Sequence, residues 1–130
     1  ELLCGGTPIE REGYFYTPTI LGNVAQTSRA VLEEVCGPVL TVQTFRDEDE
    51  ALAMINASPY GLATSVWTQN LSRAHRSAAA IDVGIAWVNS WFLRDLRTAF
   101  GGTKRSGIGR EGGVHSLEFY SELRNICIQY

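Results

Sequence analysis

Residues 63–89 read ATSVWTQN-LSRAHRSAAA-IDVG-IAWVN, and their pattern decides the fold class. The first six positions are rich in residues that fit a pleated surface, with Val66 and Trp67 at the centre, and predict a strand over 63–68. Asn70 is a favoured helix cap, and Leu71, Ala74, Ala78 and Ile81 recur at helical spacing behind it. Gly84 closes that helix. Residues 85–89 are then almost wholly apolar, as in a strand covered by helices on both faces. A strand, a helix of about ten residues and a second strand imply a right-handed crossover between parallel neighbours.

The same grammar extends outward. Aromatic and β-branched residues over 13–21 predict a strand, with Pro18 restricting it to an edge or an end. Residues 39–45 alternate as a second strand should. Asp47 followed by Glu50 has capping-box spacing, and Ala51, Leu52 and Ile55 give the following helix its apolar side. Val114, Leu117 and Tyr120 mark a last helix, and residues 125–130 read as a terminal strand that seeks a partner edge. Residues 1–6 carry no strand or helix signal of their own. The expected class is α/β, a largely parallel sheet with helices on both faces in one compact unit. Its boundaries are 1–123 for that unit and 124–130 for the terminal strand.

Composition narrows the function. An apolar fraction of 45% is that of an ordinary globular chain, and a net charge of −3 makes no electrostatic case for nucleic acid. No apolar run approaches the length of a membrane helix, and no signal peptide opens the chain, which begins without methionine and reads as a cut inside a longer protein. Cys4, Cys36 and Cys127 are odd in number and lack paired spacing. A disulfide framework or a metal site is therefore not expected, and a reducing cytoplasm fits best.

The glycine-rich run 99–113, AFGGTKRSGIGREGG, contains a Gly107-x-Gly109-x-x-Gly112 spacing. That is the spacing of a dinucleotide-binding fingerprint, but a polar, glycine-broken segment stands where the fingerprint needs a buried strand. An independent nucleotide-binding enzyme is thus disfavoured. A Cys–His nucleophile is disfavoured as well, because Cys36 before Gly-Pro suits a small buried residue, while His75 and His115 fall on helices. Glu33-Glu34 is either a solvated acidic pair or a carboxylate grip on a nucleotide ribose. The segment WFLRDLR at 91–97 follows a buried strand, where ligand sites of α/β sheets lie. There Arg94 and Arg97 either pair with neighbouring acids or clamp a substrate carboxylate through paired hydrogen bonds.

Several stretches, in order and at matching intervals, resemble the C-terminal part of the NAD(P)-dependent aldehyde dehydrogenase superfamily. They are GYFYTPTI (13–20), EEVCGPV (33–39), YGLA (60–63), VWT (66–68), GIAWVN (84–89), FGGTKRSG (100–107) and GREG (109–112). WFLRDLR and GGVHSLEFY (112–120) resemble a subgroup that oxidises 2-hydroxymuconic or 2-aminomuconic semialdehyde in aromatic catabolism. The resemblance implies an oxidoreductase using NAD, with NADP left open. It implies that Glu34 holds the nicotinamide ribose and that Cys36 replaces an aromatic residue beside the nicotinamide. Phe100 would line the substrate tunnel, with Ala99 where the family usually has proline. Arg94, then Arg97, would bind the substrate carboxylate, and Glu111 would serve in proton relay. It further implies that the last strand joins a neighbouring subunit in a homo-oligomer. The family's nucleophilic cysteine, general-base glutamate, oxyanion asparagine and Rossmann domain precede these motifs. The 130 residues alone are therefore expected to be inactive, and a non-enzymatic association module is the alternative.

Overall fold

The computed structural model describes all 130 residues and divides them into two compact units, Glu1–Ser58 and Pro59–Tyr130. In the first, β1 (Leu2–Cys4) runs antiparallel to β2 (Thr19–Gly22), which runs parallel to β3 (Val39–Val42) in the register Thr19↔Val39 to Gly22↔Val42. Thr19 is buried where these strands meet; its Oγ1 accepts from Gly6 N at 2.8 Å and donates to Thr17 O at 2.8 Å, so the buried hydroxyl is satisfied. Between β2 and β3 lies the short α1 (Arg29–Leu32), capped by Ser28, and after β3 comes α2 (Glu48–Asn56). The Asp47 side chain accepts from Glu50 N at 2.9 Å, as the capping spacing predicts. Glu50 itself reaches past the cap to Arg46, accepting from its backbone N–H and its guanidinium. A relay of amides ties β3 to α2: Gln43 Nε2 donates to Gln26 Oε1 at 2.7 Å, and Gln26 Nε2 to Met54 O at 2.9 Å.

The second unit is built on residues 63–89. Strand β5 (Ala63–Val66) and β6 (Ile85–Val88) pair in parallel, joined by α3 (Leu71–Ala80). The Asn70 side chain accepts from Arg73 N at 2.9 Å and starts α3. Helical spacing then puts Ala74, Ser77 and Ile81 on one buried face, and α3 packs that face on the β5–β6 pair. With Trp87 of β6, Ala74 and Ile81 are the buried apolar side chains of the molecule. A two-residue ladder of β4 (Tyr60–Gly61) and β7 (Thr103–Lys104), antiparallel, and α4 (Gly113–Phe119) complete the unit. No helix is long and apolar enough to cross a membrane.

The α/β class holds, but the expected single, largely parallel sheet does not form. Three small sheets hold two parallel and two antiparallel pairs, and the clearest helix packing is that of α3 on the β5–β6 pair. No ladder joins the three sheets to one another. The strand expected over 13–21 is confined to Thr19–Gly22, because Pro18 cannot donate to a ladder. Leu2–Cys4, which carried no signal, becomes a strand because β2 offers it an open edge. The chain also folds as two units where one was expected. Residues 121–130 belong to no helix or ladder, since a strand needs a hydrogen-bonded neighbour and this chain supplies none there.

Candidate functional site

The carboxyl ends of β5 and β6 are clasped by Asn89, whose side chain accepts from Thr68 N and donates to Thr68 O, both at 2.8 Å. Asn89 takes a left-handed backbone (φ +51°), a conformation that short amide residues tolerate, and this turns the chain out of β6. Ser65 Oγ donates to Ser90 O at 2.6 Å and holds the first residue of the emerging loop. Trp87 forms the loop's floor. Its Nε1–H donates to Leu93 O at 2.7 Å, and its ring meets Trp91 edge-on with centroids 5.3 Å apart. Phe92, at φ +56°, leans on the same indole at 6.2 Å. A strained non-glycine backbone of this kind persists only where surrounding contacts enforce it. The result is a fixed approach to Arg94.

The far end of the loop is closed by a reciprocal bridge: Phe100 N donates to Glu111 O and Glu111 N to Phe100 O, each at 2.8 Å. Between them the glycine-rich run is tied down from within, as Arg110 Nη1 donates to Gly102 O at 2.8 Å and to Gly109 O at 2.7 Å. Two glycines here are sterically required. A Cβ on Gly84 would stand 1.5 Å from Gly101 O, and one on Gly112, at φ +96°, would stand 2.1 Å from Thr98 O. This tight packing lets the loop lie against the start of β6.

Arg94, Phe100 and Glu111 meet at this point. Arg94 Nη2 donates to Glu111 Oε1 at 2.6 Å, and its guanidinium carbon sits 4.0 Å from the centre of the Phe100 ring. The Arg94 side chain is 24% exposed and that of Glu111 58%, so the arginine is the recessed partner. Its Nε–H is buried without a hydrogen-bond acceptor. Phe100 and Glu111, with Leu62, Gly107, Ile108 and Phe119, line a groove of about 360 Å³. An aromatic face and a carboxylate that line one groove, with a fixed cation behind them, can bind and orient a small anionic ligand.

Arg97 lies apart from this cluster. It is exposed and grips Asp95 with both Nε and Nη2, Nη2 to Oδ2 at 2.5 Å, so the surface-pair alternative describes its geometry. The Arg97 hydrogen bonds hold the Asp95 carboxyl below its usual range.

In the first unit, Glu33 and Glu34 part company. Glu33 caps the end of α1 and is taken by Arg29, whose Nε and Nη2 reach its two oxygens at 2.8 and 2.9 Å and lower its carboxyl below the usual range. Glu34 is exposed and carries its carboxylate into solvent. Cys36, expected to be a small buried residue, is instead an exposed free thiol in the turn closed by Gly37 N to Val35 O at 2.8 Å. Two contributors escaped the sequence reading. Arg110 stood among glycines whose free carbonyls were the available clue, and the Trp87 indole N–H was hidden in an apolar strand.

The profile of the Aldehyde dehydrogenase family matches residues 1–126. The 2-hydroxymuconic semialdehyde dehydrogenase of Pseudomonas putida is 59% identical over 117 residues, 90% of this chain and 24% of that protein. The 2-aminomuconic semialdehyde dehydrogenase of Mus musculus is 40% identical over 137 aligned positions, 100% of this chain and 28% of that protein. Among solved structures, an indole-3-acetaldehyde dehydrogenase in complex with NAD+ superposes with a TM-score of 0.89 at 44% identity, covering 95% of this chain and 25% of that one. The NAD+ complex of a Bacillus cereus aldehyde dehydrogenase gives a TM-score of 0.88 at 38% identity, covering 94% and 25%. The chain therefore spans about a quarter of the length of the relatives it matches.

Proposed function

This chain belongs to the aldehyde dehydrogenase family, and we propose that it is the substrate-selecting C-terminal part of an NAD-dependent enzyme that oxidises a carboxylate-bearing semialdehyde to the acid. The observation that carries this reading is the recessed Arg94, held by Glu111 and the Phe100 ring, two residues that line an open groove. The names of the relatives agree with it, since a muconic semialdehyde presents a carboxylate remote from its aldehyde. Arg94 binds the substrate carboxylate, Phe100 packs on the carbon chain, and Glu111 serves as a proton-relay carboxylate at the groove. Arg97 is a second, outer cation.

The relatives solved with NAD+ support the same cofactor here. The residues present fit it: Glu34 has an uncommitted carboxylate for a ribose hydroxyl pair, and Cys36 is open to a neighbouring ring. When bound, NAD supplies the hydride acceptor. Three free, exposed thiols fit a reducing cytoplasmic setting. Residues 1–123 on their own bring together no thiol with an activating base, so the isolated chain is inactive in this reading. Turnover by the isolated 130 residues with NAD and a muconic semialdehyde would contradict that.

Residues 124–130 support a further role in association. Ile126, Ile128 and Tyr130 alternate along the chain and are all exposed, the pattern of a strand with one apolar face. They add to a neighbouring subunit's sheet in a homo-oligomer. Deleting 125–130 and measuring mass by sedimentation tests this, since an unchanged oligomer removes the strand from that role.

The substrate is tested in the whole dehydrogenase subunit that carries this segment. A carboxylate-bearing semialdehyde is expected to exceed a neutral aldehyde of equal length in kcat/KM by about 10-fold or more, the worth of one charge-assisted pair. Equal kcat/KM for the two would overturn the reading.

A further inference from the structure

Three arginine–carboxylate pairs of this chain share a geometry that the Arg94–Glu111 pair lacks. Arg29 meets Glu33 through Nε and Nη2 together, Arg46 meets Glu50 through the same two nitrogens, and so does Arg97 with Asp95. Each carboxylate thus fills the side-on edge of its guanidinium, the geometry in which two parallel N–H donors match two oxygens. Arg94 has only Nη2 engaged, by one oxygen of Glu111, while Nε is buried with no acceptor. The side-on edge is half filled.

The reason lies in the backbone. Glu111 is locked in register with Phe100 by two 2.8 Å hydrogen bonds, and the Phe100 ring occupies the guanidinium face. From that fixed position Glu111 reaches the outer nitrogen and stops short of the inner one. A carboxylate on a free ligand has no such tether and can align both oxygens with Nε and Nη2. Glu111 is also the more exposed partner, so it is the side chain with room to leave.

We propose that Glu111 is an internal competitor for Arg94: a substrate carboxylate takes over the whole Nε–Nη2 edge, and Glu111 is thereby released into the groove it lines. This inference rests on the reading of Arg94 as a carboxylate clamp. It makes Glu111 a specificity-determining residue, because a neutral aldehyde cannot displace it and leaves it bound to Arg94. Carboxylate recognition and the freeing of the acid at the groove become one event. No bond is made or broken; one charge-assisted pair is exchanged for another.

The test is equilibrium binding of muconate, a dicarboxylate with no aldehyde to oxidise, to the whole dehydrogenase subunit by calorimetry, for wild type, Glu111→Gln and Arg94→Ala. A glutamine at 111 keeps the shape but loses the charge that competes, so Glu111→Gln is expected to bind muconate about 5- to 10-fold more tightly than wild type. Arg94→Ala is expected to lose binding. Equal or weaker binding by Glu111→Gln, with loss in Arg94→Ala, would overturn the competition and leave the clamp standing. An Arg94→Ala variant that matches wild type would overturn the clamp and the competition with it.

Discussion

The loop of residues 90–112 and the segment of residues 33–38 both carry residues of the proposed site, yet the fold treats them in opposite ways. The loop is fastened at both ends, by Ser65 on Ser90 and by the Phe100–Glu111 bridge, and its floor is the buried Trp87. Its groups arrive already oriented. The other segment is fixed only by the α1 cap, the Arg29–Glu33 pair and one tight turn, and it leaves Glu34 and Cys36 outward. The first region is a preorganised wall, and preorganisation is what converts contacts into selectivity. The second is an exposed segment, and in the proposed reading the cofactor completes its geometry.

The contrast is broken most forcefully at Arg94. In the whole dehydrogenase, Arg94→Ala is expected to raise KM for a carboxylate-bearing semialdehyde about 10- to 100-fold, with KM for a neutral aldehyde changed less than about threefold. Steady-state kinetics on the two substrates measures it. Glu34→Ala comes next: KM for NAD is expected to rise about 10-fold, from loss of hydrogen bonds to a charged group, with KM for the aldehyde unmoved. Cys36→Phe acts in the other direction. Restoring a ring at the exposed segment is expected to lower KM for NAD about two- to fivefold, the worth of one aromatic contact.

The smallest effect is assigned to Arg97, three residues from Arg94. Arg97→Ala is expected to change KM for either substrate by less than about twofold, as befits an exposed ion pair. It is also expected to let the Asp95 carboxyl rise toward its ordinary value, followed by NMR titration. The sign follows from the depressed value. The pair's contribution to stability is present above the ordinary aspartate range and is lost as pH falls through the lowered Asp95 value.

The parts of this molecule that were legible in its sequence are those set by local periodicity. The Asn70 cap, the Ala74–Ile81 face and the apolar strand of Trp87 form as their spacing requires. The Asp47 cap of α2 does too. Strand pairing was less legible, because Leu2–Cys4 takes its structure from the open edge of β2 rather than from its own residues. At the site, spacing left Arg94 and Arg97 equivalent, both beside Asp95. What separates them is a long-range contact, since Glu111 is brought to Arg94 only by the closure of the glycine-rich run. No local pattern encodes that closure. It depends on Gly84 and Gly112 lacking a Cβ and on Arg110 binding two backbone carbonyls.

The most direct measurement of the central claim is a crystal structure of the whole dehydrogenase subunit with muconate bound. One carboxylate of muconate is expected with its two oxygens about 3 Å from Nε and Nη2 of Arg94, and the Glu111 side chain swung away from the guanidinium. A ligand carboxylate seated elsewhere, with Arg94 still bound to Glu111, would contradict it.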